Sequence, residues 1–326
     1  MTSLNQPKLV TVFGGSGFVG RHVVRALARR GYRIRVAVRR PDLAGHLQPL
    51  GGVGQIVAVQ ANLRNRDSVD RAVIGADHVV NCVGILFESG RNTFAAVQDF
   101  GARAVAEAAR AAGAGLTHIS AIGADVDSDS DYARSKGLAE VAVLKVLPDA
   151  VILRPSIVFG PEDGFFNKFA EMARFSPALP LIGGGETRFQ PVYVGDVAEA
   201  VARSVDGVVE GGKIYELGGP RVMSFKEVLE EILEVTQRKR ALLPLPWGLA
   251  SLIGKIATFV PFIDPPLTDD QVVLLKSDNV VSDAANRDNR TLAGLGIPQT
   301  TVEAILPSYL TRYRPHGQYS GTGSEA

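Results

Sequence analysis

The chain has 326 residues, 46% of them hydrophobic and 21% charged, enough for a sizeable core in about two domains or in one large α/β unit with additions. A formal net charge of +1 excludes the basic footprint of a nucleic-acid binder, and a single cysteine, Cys82, excludes an internal disulfide or a cysteine-rich metal site. Met1 to Lys8 carries no apolar signal region, and no apolar run reaches the roughly 18 residues of a spanning helix, so a reducing, cytoplasmic setting of bacterial type is expected.

Leu9 to Phe13 is predicted to be a buried strand, followed at once by Gly14-Gly15-Ser16-Gly17-Phe18-Val19-Gly20 and a helix to about Arg30 that Gly31 closes with a left-handed cap. Further strands are expected at 34–38, 56–59, 78–83, 116–120 and 151–154, with helices at 67–74, 93–112 and 132–147 between them. Strands alternating with helices at this spacing specify an α/β fold, a Rossmann-like doubly wound parallel sheet with a smaller C-terminal α/β lobe. Glycine and proline are frequent from 155 to 185. A strand near 189–192, a helix at 196–206 and a strand at 213–217 follow, and Ser224 with Glu227 forms a capping box for a helix reaching about 236. The expected division is a nucleotide domain at 1–160, with elements to about 240 completing its fold, and a substrate-like lobe at 161–241. A hydrophobic docking region at 242–315 and a disordered tail at 316–326 complete it.

The glycines at 14, 17 and 20 sit between a strand and a helix, the context that gives a glycine motif its meaning. Gly14 permits the turn, Gly17 brings backbone amides to a pyrophosphate at the helix N-terminus, and Gly20 lets the helix pack on the sheet. Gly15, Ser16, Phe18 and Val19 complete this loop. The second strand ends in Arg39-Arg40, where an NAD site commonly carries an acid for the ribose 2′-hydroxyl. A guanidinium there forks onto a 2′-phosphate, which predicts NADP(H) over NAD(H); the bland alternative is a pair of solvated arginines. Asn62 and Leu63 fall near the adenine, and Asn81, Cys82, Val83 and Gly84 flank the ribose and nicotinamide; each is also ordinary strand-end chemistry.

Ser120 ends the fifth strand, and Tyr132 and Lys136 share a face of the next helix. An ammonium beside a phenol makes a tyrosinate base accessible near neutrality, and a serine hydroxyl polarises a carbonyl. The alternative is that Tyr132 and Lys136 only hold the cofactor ribose.

Gly14-x-x-Gly17-x-x-Gly20, Asn81-x-x-Gly84, Ser120 and Tyr132-x-x-x-Lys136 together resemble the short-chain dehydrogenase/reductase superfamily. Arg154-Pro155-Ser156-Ile157-Val158-Phe159-Gly160-Pro161 looks like the loop that lies over the nicotinamide in extended members, which implies cofactor contacts from Pro155, Ser156 and Ile157. Gln190 to Ala198 is similar to the segment that opens their substrate lobe. Asn62 replaces the aspartate usual there, and Cys82-Val83 replaces small alanines.

In the last third, Trp247, Leu249, Leu252, Ile253, Ile256 and Phe259 recur at helical spacing with Lys255 as the only charge. A run of this length does not span a bilayer. It reads either as an amphipathic helix on a membrane with Trp247 at the interface, or as a core helix or a lid. Pro265 to Val272, Leu275 to Val281, Phe159 to Phe169, Ile305 to Leu310 and Gly317-Gln318-Tyr319 resemble the alpha-subcomplex subunit 9 family of respiratory complex I, atypical short-chain dehydrogenases. That resemblance implies a tightly held NADPH on the flank of the peripheral arm and a stabilising role with little turnover. It implies complex I subunits as partners and a membrane surface met through 246–260. The location is then the cytoplasmic face of a bacterial inner membrane, or the matrix side in a mitochondrion. The alternatives are an active NADP-dependent reductase or epimerase using Ser120, Tyr132 and Lys136, and a redox sensor whose nucleotide controls a partner.

Overall fold

The computed structural model describes residues 7–257 and 268–316. The expected tail beyond residue 316, the positions 258–260 of the apolar run and Pro265 to Leu267 lie outside the described residues. The chain forms two units that interleave along the sequence. The first comprises 1–155, 195–217 and 283–297; the second comprises 156–194, 218–282 and 298–326. The linear division expected from composition thus differs from the folded one: 283–297 returns to the nucleotide unit.

The first unit is built on β1 (Leu9–Phe13), α1 (Phe18–Arg29), β2 (Arg33–Val38), β3 (Ile56–Gln60), α2 (Arg66–Val73) and β4 (His78–Asn81). It continues with α3 (Phe100–Ala112), β5 (Gly115–Ile119), α4 (Asp131–Val146), β6 (Val151–Pro155), α5 (Val194–Asp206) and β7 (Ile214–Leu217). The seven strands pair in parallel in the order β7-β6-β5-β4-β1-β2-β3. Buried valines and isoleucines recur in these strands because helices cover both faces. Val10, Val12, Val36, Val79, Val80 and Ile152 are essentially inaccessible to solvent. Strand order reverses between β1 and β4, and the crevice beyond the strand ends there is the place where such sheets bind ligands.

Local chemistry sets the helix ends. Gly31, with φ of +80°, supplies the left-handed residue after α1. Asn65 caps α2 by accepting from the Ser68 amide at 3.3 Å, and Ser130 caps α4 through the Ala133 amide at 3.2 Å. The expected helix at 93–112 begins differently: 95–99 is wound as a π-turn before regular α3 starts. Behind the sheet ends, Arg154 on β6 forks onto Glu140 of α4 at 2.8 and 2.6 Å and approaches Glu216 of β7 at 3.7 Å. Glu140 is 3% exposed, so this pair is desolvated.

The second unit has its own apolar core, centred on Phe159, Phe166, Phe189, Phe225, Leu229, Ile232, Leu306 and Leu310. The helix Phe166–Phe175 has no counterpart among the elements expected from sequence. The buried carboxylate of Asp163 starts it, accepting from the Phe165, Phe166 and Asn167 amides at 2.9, 2.6 and 3.2 Å. The Tyr309 hydroxyl, on the helix Val302–Leu310, donates to the other Asp163 oxygen at 2.6 Å. The Ser224–Glu227 capping box forms as expected and opens the helix Phe225–Val235. The strand near 189–192 divides into Arg188–Phe189 and Val192–Tyr193, with Pro191 between.

The helix Trp247–Ala257 buries Ala250 and Gly254 and exposes Leu249, Leu252 and Ile253. Trp247 does not share the exposed face. Its ring lies where a side chain on Gly183 would stand, partly buried against the core. Of the two readings of this run, the core-helix one describes the indole, which packs in part against a glycine, while the leucines of the helix stay exposed. Among the described residues no helix is long and apolar enough to cross a membrane.

Candidate dinucleotide site

The cleft that forms the site belongs to the first unit. It has a volume of about 260 Å³ and opens beyond β1, β2, β3 and β4. Gly14, Ser16 and Gly17 line one end, Arg39 and Asn62 to Arg64 another, and Cys82 to Ile85 the remainder.

The glycine turn has the geometry its spacing predicts. Gly14 has φ of +73°, a conformation side chains resist. A Cβ on Gly20 would overlap the Gly14 carbonyl oxygen and come within 2.7 Å of Gly15 Cα, so the first turn of α1 packs directly on the loop. Gly17 is the N-cap of α1 with no side chain to occupy the helix N-terminus, which leaves its first amides for an anion. Arg21 braces the turn from behind by donating to the Ser16 carbonyl at 3.1 Å. Gly15, Phe18, Val19 and Gly20 support the turn without lining the cleft, and the Phe18 ring stands edge-on to His22 at 5.9 Å.

The two arginines at the end of β2 part company. Arg39 lines the cleft, its Nη1 3.4 Å from Asn92 Oδ1. Arg40 turns away and chelates the Asp42 carboxylate at 2.8 to 3.3 Å, outside the cleft lining. Sequence reasoning groups the two, and the structure separates them. It also misses Arg64, which lines the cleft from the turn after β3. The available signal is its position two residues past Asn62, just beyond the strand.

Asn81 Oδ1 accepts from the Val83 amide at 3.1 Å, and its Nδ2 lies 3.2 Å from His118 Nδ1. Burial, then the Lys136 charge, push His118 down to about 3, so the ring is neutral and Asn81 donates to it. Lys136 is 4% exposed, donates to the Ile119 carbonyl at 3.2 Å and stands 5.9 Å from the Tyr132 ring centroid. A Cβ on Gly84 would come within 3.3 Å of its ammonium, which places Lys136 against the Gly84 side of the cleft. Ser120 is buried and its Oγ has no hydrogen-bond partner, an orphan hydroxyl at the end of β5. Pro155 closes β6 in this unit. Ser156 and Ile157 open the second unit, where Ser156 Oγ donates to Asn279 at 2.6 to 2.8 Å.

Burial lowers the Lys136 ammonium from an ordinary 10.5 to about 8, against the opposing pull of Glu140. Replacing it by methionine is therefore expected to stabilise the nucleotide-free protein by about 1–2 kcal/mol at neutral pH, somewhat less than the full shift because the Ile119 carbonyl loses its donor. Between pH 8 and 10.5 the unfolded chain holds more protons than the folded one, so wild-type stability rises with pH and the advantage of the variant fades. Nucleotide affinity of Lys136→Met should fall at least about tenfold as a ribose donor is lost. Urea unfolding at two pH values and calorimetric titration read both effects; a variant less stable than wild type at neutral pH contradicts the account.

A cleft at the switch point, a turn that side chains would fill and an orphan hydroxyl beside a desolvated lysine define a dinucleotide-binding protein of the Rossmann class. The NAD dependent epimerase/dehydratase family model matches residues 10–218. Over 325 residues the chain is 33% identical to NADH dehydrogenase (ubiquinone) 1 alpha subcomplex subunit 9, mitochondrial, of Arabidopsis thaliana, covering 96% of this chain and 80% of that protein. It is 34% identical over 242 residues to ceramide reductase of Caulobacter vibrioides, covering 73% of this chain and 74% of that one. UDP-glucose 4-epimerase of Thermus thermophilus, solved as a complex with NAD, shares the fold with a TM-score of 0.64 at 23% identity, covering 94% of this chain and 99% of that one. The chain belongs to the NAD dependent epimerase/dehydratase family and, by its match along nearly the whole length, to the alpha subcomplex subunit 9 proteins within it. A nicotinamide dinucleotide is the cofactor of this site.

Proposed function

We propose that the chain is an NADP(H)-holding accessory subunit of respiratory complex I, the NADH:ubiquinone oxidoreductase. The observation that carries this is the match along 96% of the chain to relatives bearing that subunit's name. Arg39 at the end of β2, where an acid would select NAD, supports the 2′-phosphorylated cofactor. The nucleotide then acts by linkage: a ligand bound only to the folded form stabilises it by about 4 kcal/mol when present at about 1,000 times its dissociation constant.

Docking is assigned to the second unit. Leu249, Leu252 and Ile253 project from one helix, and Leu243 and Phe175 are also exposed. Basic groups accompany them. Arg174 stacks on Phe175 at 5.1 Å, Arg240 anchors to the Ala173 carbonyl at 2.8 Å, Lys239 is exposed, and Lys255 pairs with Asp269 at 3.7 Å. An apolar face edged with cations suits the headgroup region of an anionic membrane beside the complex, on its cytoplasmic or matrix side. The test is purification from native membranes in mild detergent through a tag on this chain. Co-elution of NADH:ubiquinone oxidoreductase activity with about one NADP(H) per tagged chain is expected. A complete, active complex recovered without this chain overturns the assignment.

A second reading, an active NADP-dependent reductase, is favoured by the orphan Ser120 hydroxyl in the same unit as Tyr132 and Lys136. In it Ser120 donates to a carbonyl oxygen, Tyr132 passes the proton and Lys136 holds the ribose, while the dinucleotide supplies the hydride. Carbonyl-dependent NADPH oxidation abolished by Tyr132→Phe would establish it.

A further inference from the structure

We propose that Arg64 is a specificity-determining residue for the cofactor, acting with Arg39 as a two-guanidinium clamp on the 2′-phosphate of the adenosine. This rests on the NADP(H) reading above and names a residue it does not require. Arg64 lies in the turn after β3, and Arg39 at the end of β2; the two strands are neighbours in the sheet. Both side chains converge on consecutive residues of one tight turn. Arg39 Nη1 reaches Asn92 Oδ1 at 3.4 Å, and Arg64 Nη1 donates to the Arg91 carbonyl at 3.0 Å. That turn is closed by reciprocal backbone bonds between Ser89 and Asn92 at 3.1 and 3.0 Å.

Two features point to an anion. First, the Nε of Arg64 is buried and has no partner. A buried charged donor without an acceptor is costly, and Arg64 lines the cleft. Second, among the described residues no carboxylate pairs with Arg39, Arg64 or Arg91, although Arg40, Arg66 and Arg103 beside them are all paired with acids. Two guanidinium groups left without acids in the lining of one cleft favour an anionic ligand.

The pyrophosphate does not answer this demand. It belongs at Gly17 and the N-terminus of α1, on the β1 side, whereas Arg64 stands on the far side of β2. The acceptor must therefore come from the adenosine end. A phosphate there offers several oxygens, enough for the Arg64 Nε and the Arg39 guanidinium at once, whereas an adenine ring nitrogen accepts a single bond and carries no charge to balance two cations.

NADP+ and NAD+ differ only in the 2′-phosphate, so their dissociation constants, measured calorimetrically on the full chain, isolate the contact. For Arg64→Gln the affinity for NADP+ should fall roughly 10–100-fold while that for NAD+ stays within about threefold. Arg64→Lys, which keeps the charge but loses the fork, should fall between the two and serves if the glutamine variant folds poorly. Equal loss of both ligands, which an adenine contact would give, overturns the proposal; so does an unchanged preference for NADP+. Wild-type protein that binds NAD+ as tightly as NADP+ refutes instead the NADP(H) reading on which it stands.

Discussion

Gly20→Ala should lower dinucleotide affinity by more than about 100-fold and destabilise the protein by about 2–4 kcal/mol. The reason is steric and local. The added methyl would overlap the Gly14 carbonyl and press on Gly15 Cα, both backbone atoms of the turn that presents the amides. Neither can move without tilting α1 away from β1 or opening the turn, and either shift misaims the helix N-terminus. Gly45→Ala provides the contrast, since nothing lies within 4 Å of its added carbon and its φ is ordinary; its stability should stay within about 0.5 kcal/mol of wild type. Tryptophan or NADPH fluorescence titration with parallel urea unfolding reads both quantities. Wild-type nucleotide affinity in Gly20→Ala would sink the account of the turn.

The second large effect concerns the charge pair behind the site. Arg154→Met strands the Glu140 carboxylate in the interior, and such a loss should cost about 3–5 kcal/mol. Replacing both partners, Arg154→Met with Glu140→Leu, should recover part of that loss, because the Glu140 desolvation penalty leaves with its charge while the buried Glu216 loses the Arg154 guanidinium. The pair also reaches the chemistry. Glu140 raises the Lys136 pKa against burial, and Arg154 competes for that carboxylate. Arg154→Met is therefore expected to move the Lys136 titration upward, visible in the pH dependence of nucleotide binding. A single variant as stable as the double one refutes the buried-pair argument.

The nucleotide half of this molecule is largely legible in its sequence. β1, β2, β4, β5 and β6 each carry buried valine or isoleucine, and the glycine loop announces its own context. What escapes does so for physical reasons. Ala178–Ile182 and Ala241–Leu245 pair as a parallel two-stranded ribbon, yet each carries a proline, Pro180 and Pro244, that argues against a strand on sequence grounds. Pro41–Leu50 winds as a 3₁₀ segment around Gly45 and Pro49, with no periodic apolar face to betray it. Arg40 is easily grouped with Arg39 because adjacency in sequence suggests shared duty, whereas past the end of β2 the chain turns into the 3₁₀ segment and Arg40 is held by Asp42 two residues on. Arg64 is overlooked for the complementary reason: its nearness to Arg39 arises only from the β2–β3 register. The alternation of the two units is invisible too, since the return of 283–297 is a tertiary fact with no local mark.

The bond from Tyr309 to Asp163 ties positions 146 apart in the chain, while every residue lining the cleft falls between 13 and 97. Translation makes this an ordering in time. At the usual 5–20 residues per second the ribosome needs roughly 10–40 s to travel from the end of the cleft to the tyrosine. The nascent polypeptide thus carries its phosphate-binding loop long before the second unit can be completed, and a stop codon a few residues ahead of Tyr309 would release a product with that latch missing.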